Sequence, residues 1–192
     1  MQTPLAPLLD DLSSLNAVVR ESAAAELFRL GRAPADRAVH AWWADAEFSA
    51  LLSPDPDVTV GLAVTPLRFA RIHTANNSPH LAHVPPDQDA REFELHFPDR
   101  VQLDILTTKD PSGSGAIAKF LEKFGEGVQQ VEFRCKKVDR ATQILKEKFG
   151  VSSIYPATRP GANHTRINFF LVPASDSSKV LIELYEQPSA GR

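Results

Sequence analysis

The chain has a single cysteine, Cys135, in 192 residues. That excludes an intrachain disulfide framework and any zinc cage built on several cysteines. A lone thiol in a strand is most simply a half-buried packing residue. An excess of either charge is missing too: 21 basic residues stand against 24 acidic ones, a formal net charge of −3. That balance draws in neither nucleic acid nor an anionic membrane. No apolar run approaches the length of a membrane span. The opening "MQTPLAPLLDDLSSL" lacks the basic start and continuous apolar core of a signal peptide, so the expected setting is reducing and cytoplasmic. What remains is ordinary for a globular protein: 43% hydrophobic and 23% charged residues, in a length that holds one medium domain with an appendage or two small domains.

The first fifty or so residues are rich in Ala and Leu. Leu5, Leu8, Leu9 and Leu12, and then Val19, Ala23, Leu27 and Leu30, recur at helical spacing. Gly31 stands where a helix would stop, and Pro34 where the next would open. Val39, Trp42, Trp43 and Ala46 suggest an apolar stripe on a third helix, with the tryptophans as packing residues. The stretch "SSLNAVVRESAAAELFRLG" resembles one helical hairpin of a HEAT-type repeat. One such unit cannot bury its own face, so it must pack on the rest of the chain or on a partner. The expected division is therefore an all-helical extension over 1–53, closed by the proline-rich "SPDPD", and a second domain over 58–188.

Beyond that boundary the pattern changes. "VTVGLAV" reads as a strand, and "TPLRFARIHTA" as a helix with Thr65 as N-cap and Pro66 in its first turn. A polar loop follows, with a short strand expected near 81–84. "REFELHF" and "RVQLDILTT" alternate with period two and form a hairpin across Pro98–Arg100. "AIAKFLEKFGEG" is a helix over 115–125, stopped by glycine. The order then recurs: "VQQVEFRC" as strand, "KVDRATQILKEKFG" as helix, "RINFFLV" and "KVLIELYE" as strands. Strand–helix–strands thus occurs twice, over 58–108 and 128–187, an internal duplication. The fold class expected is α+β.

Alternation decides which side chains share a face. Glu92, Glu94 and His96 point away from Phe93, Leu95 and Phe97; Gln102 and Asp104 point away from Val101, Leu103 and Ile105. A tight hairpin puts Glu94 across from Asp104 and His96 across from Gln102. Alternation alone favours a solvated outer face of an antiparallel sheet over a site. In the last strand Glu183 is embedded among Val180, Leu181, Ile182 and Leu184, and a carboxylate in such a run needs a partner or a job.

The doubled module resembles the vicinal oxygen chelate superfamily, which includes glyoxalase I, the extradiol dioxygenases and the bleomycin-resistance proteins. The segments "VQQVEFRCKKVDRA", "RPGANHTRINFFLVP" and "KVLIELYEQP" resemble methylmalonyl-CoA epimerase within it. The resemblance is good over 104–188, weaker over 59–103 and absent before residue 55. It implies paired βαβββ modules curled into a half-open barrel around a divalent metal, with a small-molecule ligand in the cavity. The ligand positions fall on Thr59, Asp104, Gln130 and Glu183, and the epimerase acid/base position on Asp87. Thr59 and Gln130 stand where the family has histidines. The resulting set is all oxygen, which suits Mg²⁺ or Ca²⁺ and serves Zn²⁺, Co²⁺ or Ni²⁺ poorly. The cofactor expected is thus a hard divalent ion or none.

Three functional readings stand side by side. The first is an epimerase or lyase abstracting a proton next to a carbonyl, with Asp87, Glu94 or Glu183 as base. The second is a metal-free domain sequestering a small molecule, with His96, Gln102, Gln129 or Gln130, Arg166 and Asn168 supplying hydrogen bonds. The third is an interaction module in which the helical segment docks a partner. No nucleic acid or membrane partner is expected, and a homodimer is an option.

Overall fold

The structure, a computed structural model, describes residues 5–52, 57–174 and 178–188. The proline-rich stretch assigned to the domain boundary lies almost wholly outside them. Two compact units divide the chain: residues 1–31 with 59–129, and 32–58 with 130–192. No helix among the described residues is long and apolar enough to cross a membrane.

In the first unit, β1 (Val58–Ala63) is buried along its whole length and pairs in parallel with β3 (Val101–Thr107), Val60 against Leu103 and Gly61 against Asp104. A run buried on both faces is what the continuous "VTVGLA" requires. β3 pairs on its other side with β2 (Arg91–Phe97), antiparallel, giving the order β2-β3-β1. The hairpin register is the one alternation calls for: Glu94 faces Asp104 and His96 faces Gln102. Its turn, a single 3₁₀ turn at Pro98–Arg100, holds Asp99 and Arg100 at positive φ. No strand forms at 81–84; that segment instead lies along β2 through one backbone bond, the Ala82 amide donating to the Glu92 carbonyl at 2.9 Å.

The crossover from β1 is α4 (Pro66–Ala75). Thr65 caps it, its hydroxyl accepting from the Arg68 amide, and Pro66 sits in the first turn. Phe69 and Ile72 turn inward, and Phe69 meets Phe93 edge-on at 4.8 Å. The N-terminal helix α1 (Leu5–Asp11) is tied to α4: Arg68 reaches Asp10 and Glu126, each at 3.2 Å, and the Asn76 amide donates to the Leu12 carbonyl at 3.0 Å. Leu9 and Leu12 are fully buried. The linker helix α5 (Ala116–Phe124) ends at Gly125, whose φ of +75° is open to glycine.

In the second unit, β4 (Gly127–Arg134) pairs in parallel with β7 (Lys179–Glu186), which pairs antiparallel with β6 (Arg166–Pro173); a short β5 (Arg159–Pro160) closes the order β4-β7-β6-β5. The crossover is α6 (Val138–Phe149). The connectivity repeats the first unit's, first strand parallel to last across a helix, which is the α+β duplication read from the sequence. α3 (Ala46–Ser49) is capped by Asp45, which also binds Lys148 at 2.9 Å.

A second expectation is overturned. The break at Gly31 does not occur: α2 runs unbroken from Ala17 to Ala44, with Pro34 inside it. An internal proline costs about 3 kcal/mol in an isolated helix. Here Ala23, Ala24 and Leu27 bury in the first unit, and Ala35, Val39 and Trp42 in the second. Trp42 meets Phe170 at 6.2 Å and Trp43 meets Phe133 at 4.7 Å, both edge-on. Packing of that extent outweighs the local penalty. Gly31 is present for proximity: a Cβ there would stand 2.5 Å from Val60 Cγ1.

Gly31→Ala tests this. In an open helix it would gain up to about 1 kcal/mol; against Val60 we expect a net loss of about 1–2 kcal/mol, read as a lower urea midpoint with unchanged m-value.

Candidate functional site

In the first unit the polar face is assembled by register. Gly61 of β1 and Glu94 of β2 flank Asp104 of β3. Thr59 and Asp104 are 3% and 5% exposed. The Thr59 hydroxyl donates to Gln102 Oε1 at 3.2 Å, so its hydrogen is already committed. Glu94 and His96 lie on the open part of the face, their Oε2 and Nε2 3.0 Å apart and each side chain more than half exposed. Asp87 lies in the exposed turn at 86–88.

The same face carries Glu92, opposite Leu106. It is mostly buried, and it lines a cleft of about 200 Å³ together with Leu81, Ala82, Val84, Ala90 and Lys109. Burial among apolar walls, and secondarily the negative charge of Glu94, push the Glu92 carboxyl up to about 7. His83 also lines this cleft. Its ammonium neighbour Lys109 donates to the Gln88 carbonyl at 3.2 Å. Below it, Asp89 fixes the loop by accepting from the Thr108 hydroxyl at 2.6 Å and the Lys109 amide at 3.1 Å. Alternation places Glu92 beside Glu94, but only the walls supplied by 81–84 distinguish it, and those come from tertiary contact.

In the second unit, parallel pairing sets Glu132 directly beside Glu183. Gln130, two residues before Glu132 and therefore on the same face, donates from Nε2 to Glu132 Oε1 at 3.0 Å and to Glu183 Oε2 at 2.8 Å. The three side chains are 7%, 9% and 8% exposed. Glu183 thus has the partner its apolar surroundings demand. Glu132 was readable as a face-mate of Gln130; its pairing with Glu183 was not, because strand order is not local information.

Two proposed ligand-binding residues sit elsewhere. Arg166 is engaged by Asp139 at 2.6 Å and Glu186 at 3.2 Å, and these carboxylates raise its already high pKa. Asn168 pairs with Leu184 in register, on the face of Phe170 and Ile182, whereas Glu183 pairs with Phe169 on the opposite face. Asn168 is 1% exposed; its Oδ1 accepts from the Phe169 amide at 3.0 Å, and its Nδ2 has no partner among the described residues.

A transition metal does not suit the group of Gln130, Glu132 and Glu183. Among the described residues no group of three or more His, Cys, Asp or Glu side chains could hold an ion. The Gln130 nitrogen, which cannot ligate while donating, is directed at the carboxylates.

No protein-family model and no curated protein matches the sequence. Solved structures do. A methylmalonyl-CoA epimerase from Mycobacterium tuberculosis is 34% identical, with a TM-score of 0.55, over 68% of this chain and 87% of that one. A Streptomyces coelicolor methylmalonyl-CoA epimerase variant, solved with 2-nitronate-propionyl-CoA, is 26% identical at a TM-score of 0.53, over 68% and 96%. A protein from Bacillus halodurans shares the fold at 22% identity and a TM-score of 0.58, over 72% and 99%. The chain therefore belongs to the vicinal oxygen chelate superfamily, among its methylmalonyl-CoA epimerase-like members.

The Glu92 environment has a measurable consequence. A carboxyl that titrates near 7 when folded and near 4.5 when unfolded holds its proton longer in the native state. Stability should therefore fall as pH rises from about 5 to 8. Glu92→Gln removes this penalty: urea midpoints should match wild type at pH 5 and exceed it at pH 8, by on the order of 2 kcal/mol.

Proposed function

We propose that the chain binds a small carbonyl compound and moves a proton on the carbon beside the carbonyl, as an epimerase or lyase does, with Glu92 as the proton carrier. The observation that carries this reading is the Glu92 carboxyl itself: mostly buried in a cleft and pushed up to about 7. A group that titrates near neutral pH is as ready to take a proton as to return it. Ionised, Glu92 abstracts the proton and leaves an enolate; inversion then follows when a second acid, for which Lys109 is the candidate, protonates the opposite face. Leu81, Ala82, Val84 and Ala90 form the apolar side of the cleft, and the Lys109 ammonium offers a charge to the developing enolate oxygen. The 34% identity to a methylmalonyl-CoA epimerase supports this class of reaction. Of the carboxylates the sequence suggested, Asp87 and Glu94 are more exposed and become auxiliary candidates, while Glu183 is held by the Gln130 amide.

The second reading, sequestration without catalysis, is favoured by the group of Gln130, Glu132 and Glu183, in which an amide donor rather than an imidazole faces the carboxylates.

The deciding experiment is isotope exchange. Wild type is incubated in D₂O with methylmalonyl-CoA, a compound bound by one of the solved epimerases, and deuterium at C2 is counted by mass spectrometry. Exchange above the protein-free rate, rising with pH through about 7, is the expected result. Glu92→Gln should lower it by about 10²-fold or more. Exchange at the protein-free rate, with binding still visible by calorimetry, would leave sequestration as the function.

A further inference from the structure

Glu132 and Glu183 are set side by side by the β4–β7 register and are both less than a tenth exposed. Two carboxylates brought so close out of water repel one another and lose hydration, so the fold needs something positive between them. A metal ion is one answer. This chain uses another. The Gln130 amide has two N–H bonds, one directed at each carboxylate, at 3.0 and 2.8 Å. That exhausts its donor capacity toward this pair.

We infer that the Gln130 side-chain amide takes the place of a metal ion as the link between Glu132 and Glu183, so that this chain works without a transition metal. The chemistry of the donor set supports it. A cation entering between the carboxylates would meet amide hydrogens. Turning the amide over would present its carbonyl oxygen to two carboxylates and forfeit both hydrogen bonds. Neither event is favourable unless the ion's own binding is strong, and oxygen donors of this kind bind Zn²⁺, Co²⁺ and Ni²⁺ weakly beside imidazole. The substitution of an amide for an imidazole at residue 130 thus does two things together: it removes the strong ligand and supplies the donor that makes a cation unnecessary. This conclusion stands apart from the proposed proton transfer, since it concerns β4 and β7 alone.

The test uses tag-free protein, thermal melting and Co²⁺ absorption. Wild type should contain no stoichiometric transition metal, and 1 mM Zn²⁺, Ni²⁺ or Co²⁺ should leave its Tm unmoved. Gln130→His, which replaces the amide donor with an imidazole, should gain about 5 °C with the same ions and show a visible Co²⁺ d–d band. Gln130→Ala, which leaves the carboxylates without their shared donor, should melt lower than wild type and regain part of the loss with Mg²⁺. A wild type that binds transition metal stoichiometrically, or that responds to these ions as strongly as Gln130→His, overturns the inference. If Gln130→His does not fold, the wild-type metal content and the Mg²⁺ response of Gln130→Ala decide it; equal Mg²⁺ responses in Gln130→Ala and wild type also count against it. Failure here leaves the isotope-exchange result untouched, so the two proposals fall separately.

Discussion

Parallel pairing of the first strand of each module with its last is the constraint on which the rest depends. β1 lies along β3 and β4 along β7, and each pairing is reached by a crossover helix, α4 or α6. Parallel strands of one sheet need such a crossover. The helices exist because their apolar residues, Phe69 and Ile72 in α4, Val138, Ala141, Ile144 and Leu145 in α6, must cover one face of the sheet. With one face committed to packing, the polar residues at positions alternate to the apolar ones are delivered to the other, Asn168 apart. Asp104 next to Gly61 and Glu132 next to Glu183 are consequences of that register.

Burying carboxylates is costly, and the two units answer the cost differently. In the second unit an uncharged amide bridges the pair, so the charge is met by hydrogen bonds. In the first, Glu92 is left against apolar walls with another carboxylate nearby, and the cost appears as a raised affinity for its proton. Ion pairs on the outer surface, such as Arg166 with Asp139 and Glu186, lie more open to water and are worth little energetically. Cys135, buried and with its thiol pushed up to about 12 chiefly by desolvation, is inert packing, as its surroundings in a strand suggested.

The N-terminal helices show where local reading misleads. Gly31 and Pro34 are both strong breakers, and a break between them is the correct inference from propensity alone. The helix continues because its two halves bury Leu27 on one side of the interruption and Val39 and Trp42 on the other. In the same way the strand expected near 81–84 does not form, although the segment still runs beside β2 and supplies the cleft's walls. The α4 cap at Thr65, the hairpin register and the α5 stop at Gly125, by contrast, appear where turn and cap chemistry placed them. Those depend on residues within a few positions of one another.

By itself the sequence determined the duplicated strand–helix–strands order, the faces of β2 and β3, and the absence of imidazole at Thr59 and Gln130. All of these follow from side-chain identity and periodicity along a single element. Tertiary structure alone decided that Gln130 donates to Glu132 and Glu183, that Glu92 rather than Glu94 lines the cleft, and that Asn168 turns to the helix-covered face. Each rests on strand order, register or the walls of a cleft. Those are set by which elements bury one another, and no single stretch of sequence carries that information.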